Sequence, residues 1–348
     1  MAIESLRTRH EALLSANPGM RIRERARQLG VSEGELVALQ LGVSAVPLRC
    51  EPAGIFPKLG SLGRIMCLTR NEWAVHERYG QFEQVDVFDK MGLVLGNDID
   101  LRLFFSHWQH VWEVNDKGRI SLQFFDKTGL ALHKIFRTDE TDAAAWEALV
   151  AEFRLPDGAQ NAVVFEPAVV KPRDHGAELD ADTQRALREG WLAMTDPHEF
   201  IPMLRKMKLS RITAVAAVGA DLAQQVDRLA IEKVLQHASD TGLPIMVFAG
   251  NHGAVQIHGG TVKKLVRTGP WYNVLDPAFN LHVNTDAVVS SWVVNRPTSD
   301  GPVTSLELYA DDGELIVQFF GLRKPGNPEL PAWRALMTSL CAQPLHGG

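Results

Sequence analysis

The stretch IMCLTRNEWAV at residues 65–75 returns as IMVFAGNHGAV at 245–255, with Ile, Met, Asn, Ala and Val coinciding at a constant offset of 180. The same offset pairs Val94 and Leu95 with Val274 and Leu275, Leu101 with Leu281, and WEVN at 112–115 with WVVN at 292–295. Further on, GLALHKIF (129–136) matches GELIVQFF (313–320), and AAAWEALVAEF (143–153) matches LPAWRALMTSL (330–340). One coincidence would carry no weight, but a series in constant order marks a duplication. Whatever fold one half adopts, the other must adopt too. The 348 residues, 45% of them hydrophobic, suffice for two ordinary cores. The Pro-, Asp-, Gly- and Ala-rich stretch at 154–182 reads as a linker, so the expected domains are 1–177 and 178–348.

Both halves run through the same order of elements. In VSEGELVALQLG, Ser32 with Glu35 three residues later is a capping box. In LSRITAVAAVG, Ser210 is the matching cap and Gly219 the stop. Short alternating runs follow. In IDLRLFF, Ile99, Leu101, Leu103 and Phe105 share one face, and Asp100, Arg102 and Phe104 the other. RISLQFF, TSLELYA and ELIVQFF repeat the alternation, with DKTG and ADDG as hairpin turns. Each half closes on a helix carrying Trp146 or Trp333. Helices, then strands, then a helix, without βαβ alternation, predict an α+β fold: two structural repeats, each a large antiparallel β-sheet flanked by helices.

Several function classes drop out. A net charge of −6 argues against a mainly electrostatic nucleic-acid binder. Cys50, Cys67 and Cys341 are too far apart for a zinc motif or a disulfide framework. No run approaches a membrane span or a secretory signal, so the expected location is a reducing cytoplasm. No GxGxxG after a strand, Walker motif or GxSxG is present. ARQLGVSEGELVALQ has the outline of a helix-turn-helix, yet LRKMKLSRITAVAAV repeats it, and packing explains both copies without DNA. His107 and His110, on a strand, would face opposite sides.

The segment WLAMTDPHEFIPMLRK (191–206) holds a histidine in an awkward place. Asp196 reads as an N-cap, Pro197 as N1 and Glu199 as the partner in a capping box. His198 then occupies the first turn, where the positive end of the helix favours neutral imidazole and a free lone pair. Pro202 cannot donate to the His198 carbonyl, so the helix should kink or restart there. One imidazole does not hold a bare metal ion, but it suffices for an iron that arrives with four nitrogens in place, as in haem. Haem also asks for an apolar slot and cations for two propionates. Arg211 at a helix start, Arg102 beside Phe104, and Arg296 and Arg323 at strand ends are candidates.

The duplication, together with VLGNDIDLRLFFSHWQHVWEVN, TDPHEFIPMLRKMKLSR, FAGN, DPAFNLH and SSWVVN, resembles the cytoplasmic haem-handling proteins of bacterial haemin-uptake systems, the haemin transport or haemin-degrading factors. The resemblance spans nearly the whole chain. It implies haem held in a cleft of the second half and partly closed by the first. It places the axial iron ligand at His198 and basic haem contacts at Arg102, Arg211 and Arg323, with Arg296 where a lysine is frequent. Phe104, Phe248 and Gln318 match further pocket positions. Pro197, and His252 where an arginine is expected, depart from the pattern; His252 is either a secondary ligand or polar surface. Met20 or a neighbour stands where His198 would repeat, so one haem per chain is expected. The implied function is receipt of imported haem and its delivery to degradation, with a haem-degrading enzyme and an inner-membrane haem transporter as expected partners. Oxidative ring opening by the chain itself, and haem-responsive DNA binding, are the alternatives.

Overall fold

The computed structural model describes residues 2–156, 163–169, 172–324 and 326–347, so part of the expected linker lies outside the described residues. The chain forms two compact units. The first takes in the chain to Arg70, Glu77–Val169 and Asn251–Gln256; the second takes in Asn71–His76, the described residues after Val169 up to Gly250, and those from Ile257 on. Each unit therefore contains a short segment of the opposite half.

In the first unit the helices are α1 (Ala2–Ala16), α2 (Ile22–Leu29), α3 (Glu33–Ala38), α4 (Pro52–Ile55) and α5 (Ala143–Phe153). The strands are β1 (Ala45–Leu48), β2 (Gly63–Arg70), β3 (Ala74–Gly80), β4 (Gln84–Phe88), β5 (Met91–Leu95), β6 (Asp100–Phe104), β7 (His110–Asp116), β8 (Arg119–Phe125) and β9 (Ala131–Thr141). They pair in the order β1-β7-β8-β9-β2-β3, with a meander β6-β5-β4 beside residues 254–256. The second unit has α6 (Ala181–Leu192), α7 (Phe200–Met207), α8 (Arg211–Ala217), α9 (Ala230–Thr241) and α10 (Pro331–Leu340). Its strands are β10 (Ala223–Val226), β11 (Ile245–Gly250), β12 (Ala254–Gly260), β13 (Leu265–Thr268), β14 (Trp271–Leu275), β15 (Phe279–Asn284), β16 (Ser290–Arg296), β17 (Val303–Tyr309) and β18 (Leu315–Gly321). They pair as β10-β16-β17-β18-β11-β12, with a meander β15-β14-β13 beside residues 74–76. The fold is α+β with two repeats, each built on antiparallel pairing.

The repeated asparagine explains where the halves exchange segments. Asn71 Nδ2 donates to the carbonyls of Gly250 and Ile316, while its Oδ1 accepts from the Trp73 and Ala74 amides. Asn251 Nδ2 donates to the carbonyls of Arg70 and Leu132, while its Oδ1 accepts from the Gly253 and Ala254 amides. In each copy one side chain satisfies four backbone groups at a strand crossing, which a hydrophobic residue would leave orphaned. Gly253 is needed there because a Cβ would fall 2.5 Å from Leu132 Cδ1.

The first unit's core gathers Ile99, Leu101 and Leu103, the predicted inner face of β6, with Phe56, Trp108, Phe124 and Trp146. His133 lies among them, 1% exposed, with Nδ1 2.8 Å from Thr69 Oγ1. Burial pushes its imidazole down to about 3. The folded state thus binds this proton less tightly than the unfolded chain, whose histidines titrate near ~6.5. The resulting stability is present in full above that value and is lost as pH falls toward 3, at about 1.4 kcal/mol per pH unit. Urea unfolding midpoints should therefore drop between pH 6.5 and 4, and His133→Gln should flatten that drop; equal slopes in the two proteins would refute the assignment.

Candidate functional site

The second unit presents two faces of its sheet to two layers of helix. Leu306, Leu308, Val317 and Phe319 point toward α9 and α10, into the cluster around Trp333. The opposite face meets α6, α7 and α8 through Trp191, Phe200, Leu204, Val215 and Val294. On that second face, register aligns Trp292, Glu307, Gln318 and Phe248 across four strands.

Glu307 is fully buried and is the hub. It accepts from Arg296 Nη2 at 2.6 Å, Arg211 Nη1 at 3.3 Å, Tyr309 Oη at 2.5 Å, Ser305 Oγ at 3.0 Å and Gln318 Nε2 at 2.8 Å. Burial pushes its carboxyl up, but the Arg296 and Arg211 guanidiniums and the Tyr309 hydroxyl outweigh this and hold it well below the usual carboxylate range. Two cations and one anion leave the cluster with an excess positive charge. Arg296 is only 3% exposed, so its charge is spent internally on Glu307. The Arg211 side chain is 21% exposed and is the cluster's outlet. Phe200 lies beneath both guanidiniums, its ring centre 4.3 Å from Arg296 Cζ and 5.1 Å from Arg211 Cζ.

Two residues before Phe200 stands His198. Residues Pro197–Glu199 form a 3-10 turn and α7 begins at Phe200, so the restart expected at Pro202 comes two residues earlier. Pro202 falls in the first turn of α7, where its missing N–H has no intrahelical duty. The predicted capping box is displaced as well: Glu199 accepts from the Thr195 amide at 3.0 Å rather than from that of Asp196. Asp196 does cap, taking the His198 amide at 2.8 Å, and it also lies 2.6 Å from His198 Nδ1. The His198 amide, its imidazole and the charge of Arg323 hold Asp196 below the ordinary aspartate value. An ionised carboxylate can only accept, so Nδ1 carries the proton and a neutral ring keeps its lone pair on Nε2. The imidazole is 88% exposed. Carboxylate-backed histidine is the arrangement that orients metal ligands. Among the described residues, no group of three or more His, Cys, Asp or Glu side chains is arranged to hold a bare ion.

Arg323 belongs to the same neighbourhood. It pairs with Asp300 at 3.2 Å, and the Ser299 amide donates to the Thr195 carbonyl at 2.9 Å, joining that loop to the His198 turn. Phe248 and Phe320 pack edge to face at 5.1 Å, both partly exposed beside Gln318. Thus His198, Arg211, Arg296, Arg323, Phe248 and Gln318 all lie in the second unit. Arg102 and Phe104 lie in the first, on the outer face of β6, where Arg102 is already ion-paired with Asp100.

A family of sequences described as the haemin-degrading HemS.ChuX domain matches residues 30–153 and 208–340, one segment in each half. The chain belongs to that family. The hemin transport protein HmuS of Yersinia pestis is 38% identical over 331 residues, covering 93% of this chain and 94% of that relative. Holo-PhuS, a heme-binding protein from Pseudomonas aeruginosa, superposes with a TM-score of 0.92 at 42% identity, covering 98% and 99% of the two chains. ChuS, described as an E. coli heme oxygenase, gives 0.83 at 37% identity over 91% and 95%. For this HemS.ChuX member, sequence reasoning named Asp196 only as a cap and passed over Glu307, Tyr309 and Phe200. The signal for Glu307 was present: Ser305, Glu307 and Tyr309 share one parity in β17, opposite Leu306 and Leu308.

The helix-turn-helix outline resolves into packing. Glu33, Gly34, Leu36 and Val37 of α3 are buried, and Glu33 is ion-paired with Lys134. The helix that would have to enter a DNA groove has its faces committed to the protein. HWQH is likewise not one strand, because Phe105–His107 form a 3-10 turn and β7 begins at His110.

Proposed function

We propose that the chain binds haem, with His198 Nε2 as axial ligand to the iron, and passes it on for degradation. The observation that carries this is the exposed His198 ring held by Asp196 at 2.6 Å. The names of HmuS and PhuS, a hemin transport and a heme-binding protein, point the same way. Arg211 and Arg323 would meet the propionates: the Arg323 charge acts on Asp196 beside the ligand, and the partly exposed Arg211 stands over Phe200 at the start of α7. Arg296 acts through Glu307, keeping that carboxylate ionised and Arg211 in place. Phe248 and Gln318 supply an apolar wall and a polar contact. Arg102 and Phe104 enter the set because they match the family pattern.

Haem arrives as cargo, so the partners are a source and a sink: an inner-membrane haem transporter and a haem-degrading enzyme. Among the described residues no helix is long and apolar enough to cross a membrane. A cytoplasmic place for the transfer is part of the same proposal. The second reading is that this chain opens the porphyrin itself, favoured by its likeness to ChuS. It needs an outside reductant, since no flavin or nicotinamide motif is present. The test is haemin added to purified protein, followed by ascorbate or peroxide with and without catalase. A stable, sharpened Soret band supports a carrier. Loss of that band with release of iron, insensitive to catalase, supports the enzyme. No Soret change on adding haemin refutes both.

A further inference from the structure

Arg323, one of the two cations assigned to the propionates, already holds an acid of its own chain. Its Nη2 donates to Asp300 Oδ2 at 3.2 Å and its Nε to the Asn327 carbonyl at 3.3 Å. Both bonds are long for a charged donor, and Asp300 is held through one nitrogen only. Among the described residues Nη1 has no hydrogen-bond acceptor. Other pairs in the same unit are tight. Arg188 clasps Asp221 with two bonds of 2.8 Å, and Arg296 reaches Glu307 at 2.6 Å. Against these, the grip of Arg323 on Asp300 is loose.

Asp300 does not depend on Arg323 for its place. The Gly326 amide donates to the same Oδ2 at 2.9 Å, and the side chain is 31% exposed, so water reaches it. Its loop is closed by Thr298, whose Oγ1 donates to the Gly301 carbonyl at 2.6 Å and accepts from the Asp300 amide at 3.2 Å. If the guanidinium turns away, the carboxylate keeps a donor, its hydration and its backbone. Leaving it unpaired costs little, unlike the buried Glu307. Arg323, with only 12% of its side chain exposed, does need an acceptor. The loop also reaches the ligand turn: the Ser299 amide bonds the Thr195 carbonyl, three residues before His198. The charge of Arg323 is felt at Asp196, which braces the imidazole. An outside carboxylate arriving with the iron therefore meets Arg323 while Asp300 still occupies it.

We propose that Asp300 is an internal competitor for the propionate: Arg323 exchanges Asp300 for the ligand's carboxylate on loading and returns to it on release. One ion pair replaces another, and no covalent bond changes. Asp300 thereby lowers the affinity for a porphyrin with free acid groups and speeds its departure, as a protein that hands haem onward requires. Arg211 has no such exchange open to it, because its acid, Glu307, is fully buried and shared with Arg296. This inference rests on the haem-binding reading and names what sets release from that site.

The test follows the Soret band during transfer to excess apomyoglobin. Wild type, Asp300→Asn, Arg323→Met and the double variant are each loaded with haemin or with haemin dimethyl ester, whose side chains carry no charge. Asparagine keeps an oxygen for the Gly326 amide, and circular dichroism checks folding. Asp300→Asn should release haemin about 3- to 10-fold more slowly, between the worth of an exposed ion pair and that of a charged hydrogen bond. Release of the ester should not change, nor should the iron–histidine stretch in resonance Raman, since the exchange lies at the acid groups. On Arg323→Met, Asp300→Asn should have no further effect. Equal haemin release from wild type and Asp300→Asn overturns the proposal, as does an equal slowing with the ester. Faster release from Asp300→Asn also overturns it and makes Asp300 a brace for Arg323. A wild type whose addition to haemin leaves the Soret band unchanged ends the haem-binding reading instead, and this inference with it.

Discussion

Replacing His198 with alanine is expected to lower haemin affinity by about 10- to 100-fold or more and to displace the Soret band. Outer-shell partners alone are worth that range at metal sites, and the ligand itself is worth no less. The ring is 88% exposed and packs on little, so its loss should leave the unfolding midpoint nearly unchanged. A ligand role and a structural role therefore separate cleanly. Added imidazole should restore the spectrum of the alanine variant by entering the vacated space. Asp196→Asn gives the graded version. An amide still caps the turn through its oxygen, but without the charge that raises the basicity of the ring, so affinity should fall by less than in His198→Ala. A Soret band identical in wild type and His198→Ala would remove the ligand assignment.

Much of the scaffold is legible because it follows from local rules. The 180-residue offset places β2 on β11, β3 on β12 and β7 on β16. Ser32 and Glu35 form the predicted capping box, and Ser210 accepts from the Thr213 amide as its counterpart should. Trp146 and Trp333 are both fully buried on the closing helices. What escaped the sequence is non-local. Nothing in IMCLTRNEWAV says that Asn71–His76 will join the opposite unit, since that depends on which strand edge lies free after folding. Alternation in TSLELYA suggests one wet face, yet all seven residues of β17 are buried, because helices cover the polar face as well as the apolar one. A glutamate there must find cations, and those come from residues 96 and 11 positions away, on α8 and β16.

The two halves solve this problem with opposite signs. The residue after the capping serine is Glu33 in the first copy and Arg211 in the second. Glu33 pairs with Lys134, which the repeat aligns with Gln318; Arg211 pairs with Glu307, which stands across from Gln318 in register as Gln123 stands across from Lys134. In the first copy the buried anion is Glu33, held by Lys134 and by the charges of Arg23 and Arg70. In the second, two guanidiniums share one carboxylate, a surplus of one cation, and the partly exposed Arg211 stands where the first copy buries a glutamate.

That surplus makes Glu307 the most consequential buried position, and Glu307→Gln should cost about 3–5 kcal/mol of stability, the range for breaking one partner of a buried ion pair. Arg296, 3% exposed, cannot turn to solvent and would be left with its charge uncompensated. Gln can still accept from Tyr309 and Gln318, so the loss reports the charge rather than the shape. The pH dependence gives a second signature. Arg296 and Arg211 hold the Glu307 carboxyl well below its unfolded value in spite of burial. Its contribution is then complete above the unfolded pKa, near ~4.3, and fades as pH falls below it. The gap between wild type and Glu307→Gln should be constant from pH 8 to 5 and should shrink on further acidification. Adding Arg296→Met to Glu307→Gln removes the stranded cation, and an apolar replacement of similar volume should bring stability back to within about 2 kcal/mol of the parent. Chemical denaturation of these three proteins and of Arg296→Met alone closes the cycle. If Glu307→Gln loses less than about 1 kcal/mol, or if the double variant is the less stable of the two, the guanidiniums are not held by that carboxylate and Arg211 owes its place to Phe200 and the helix alone.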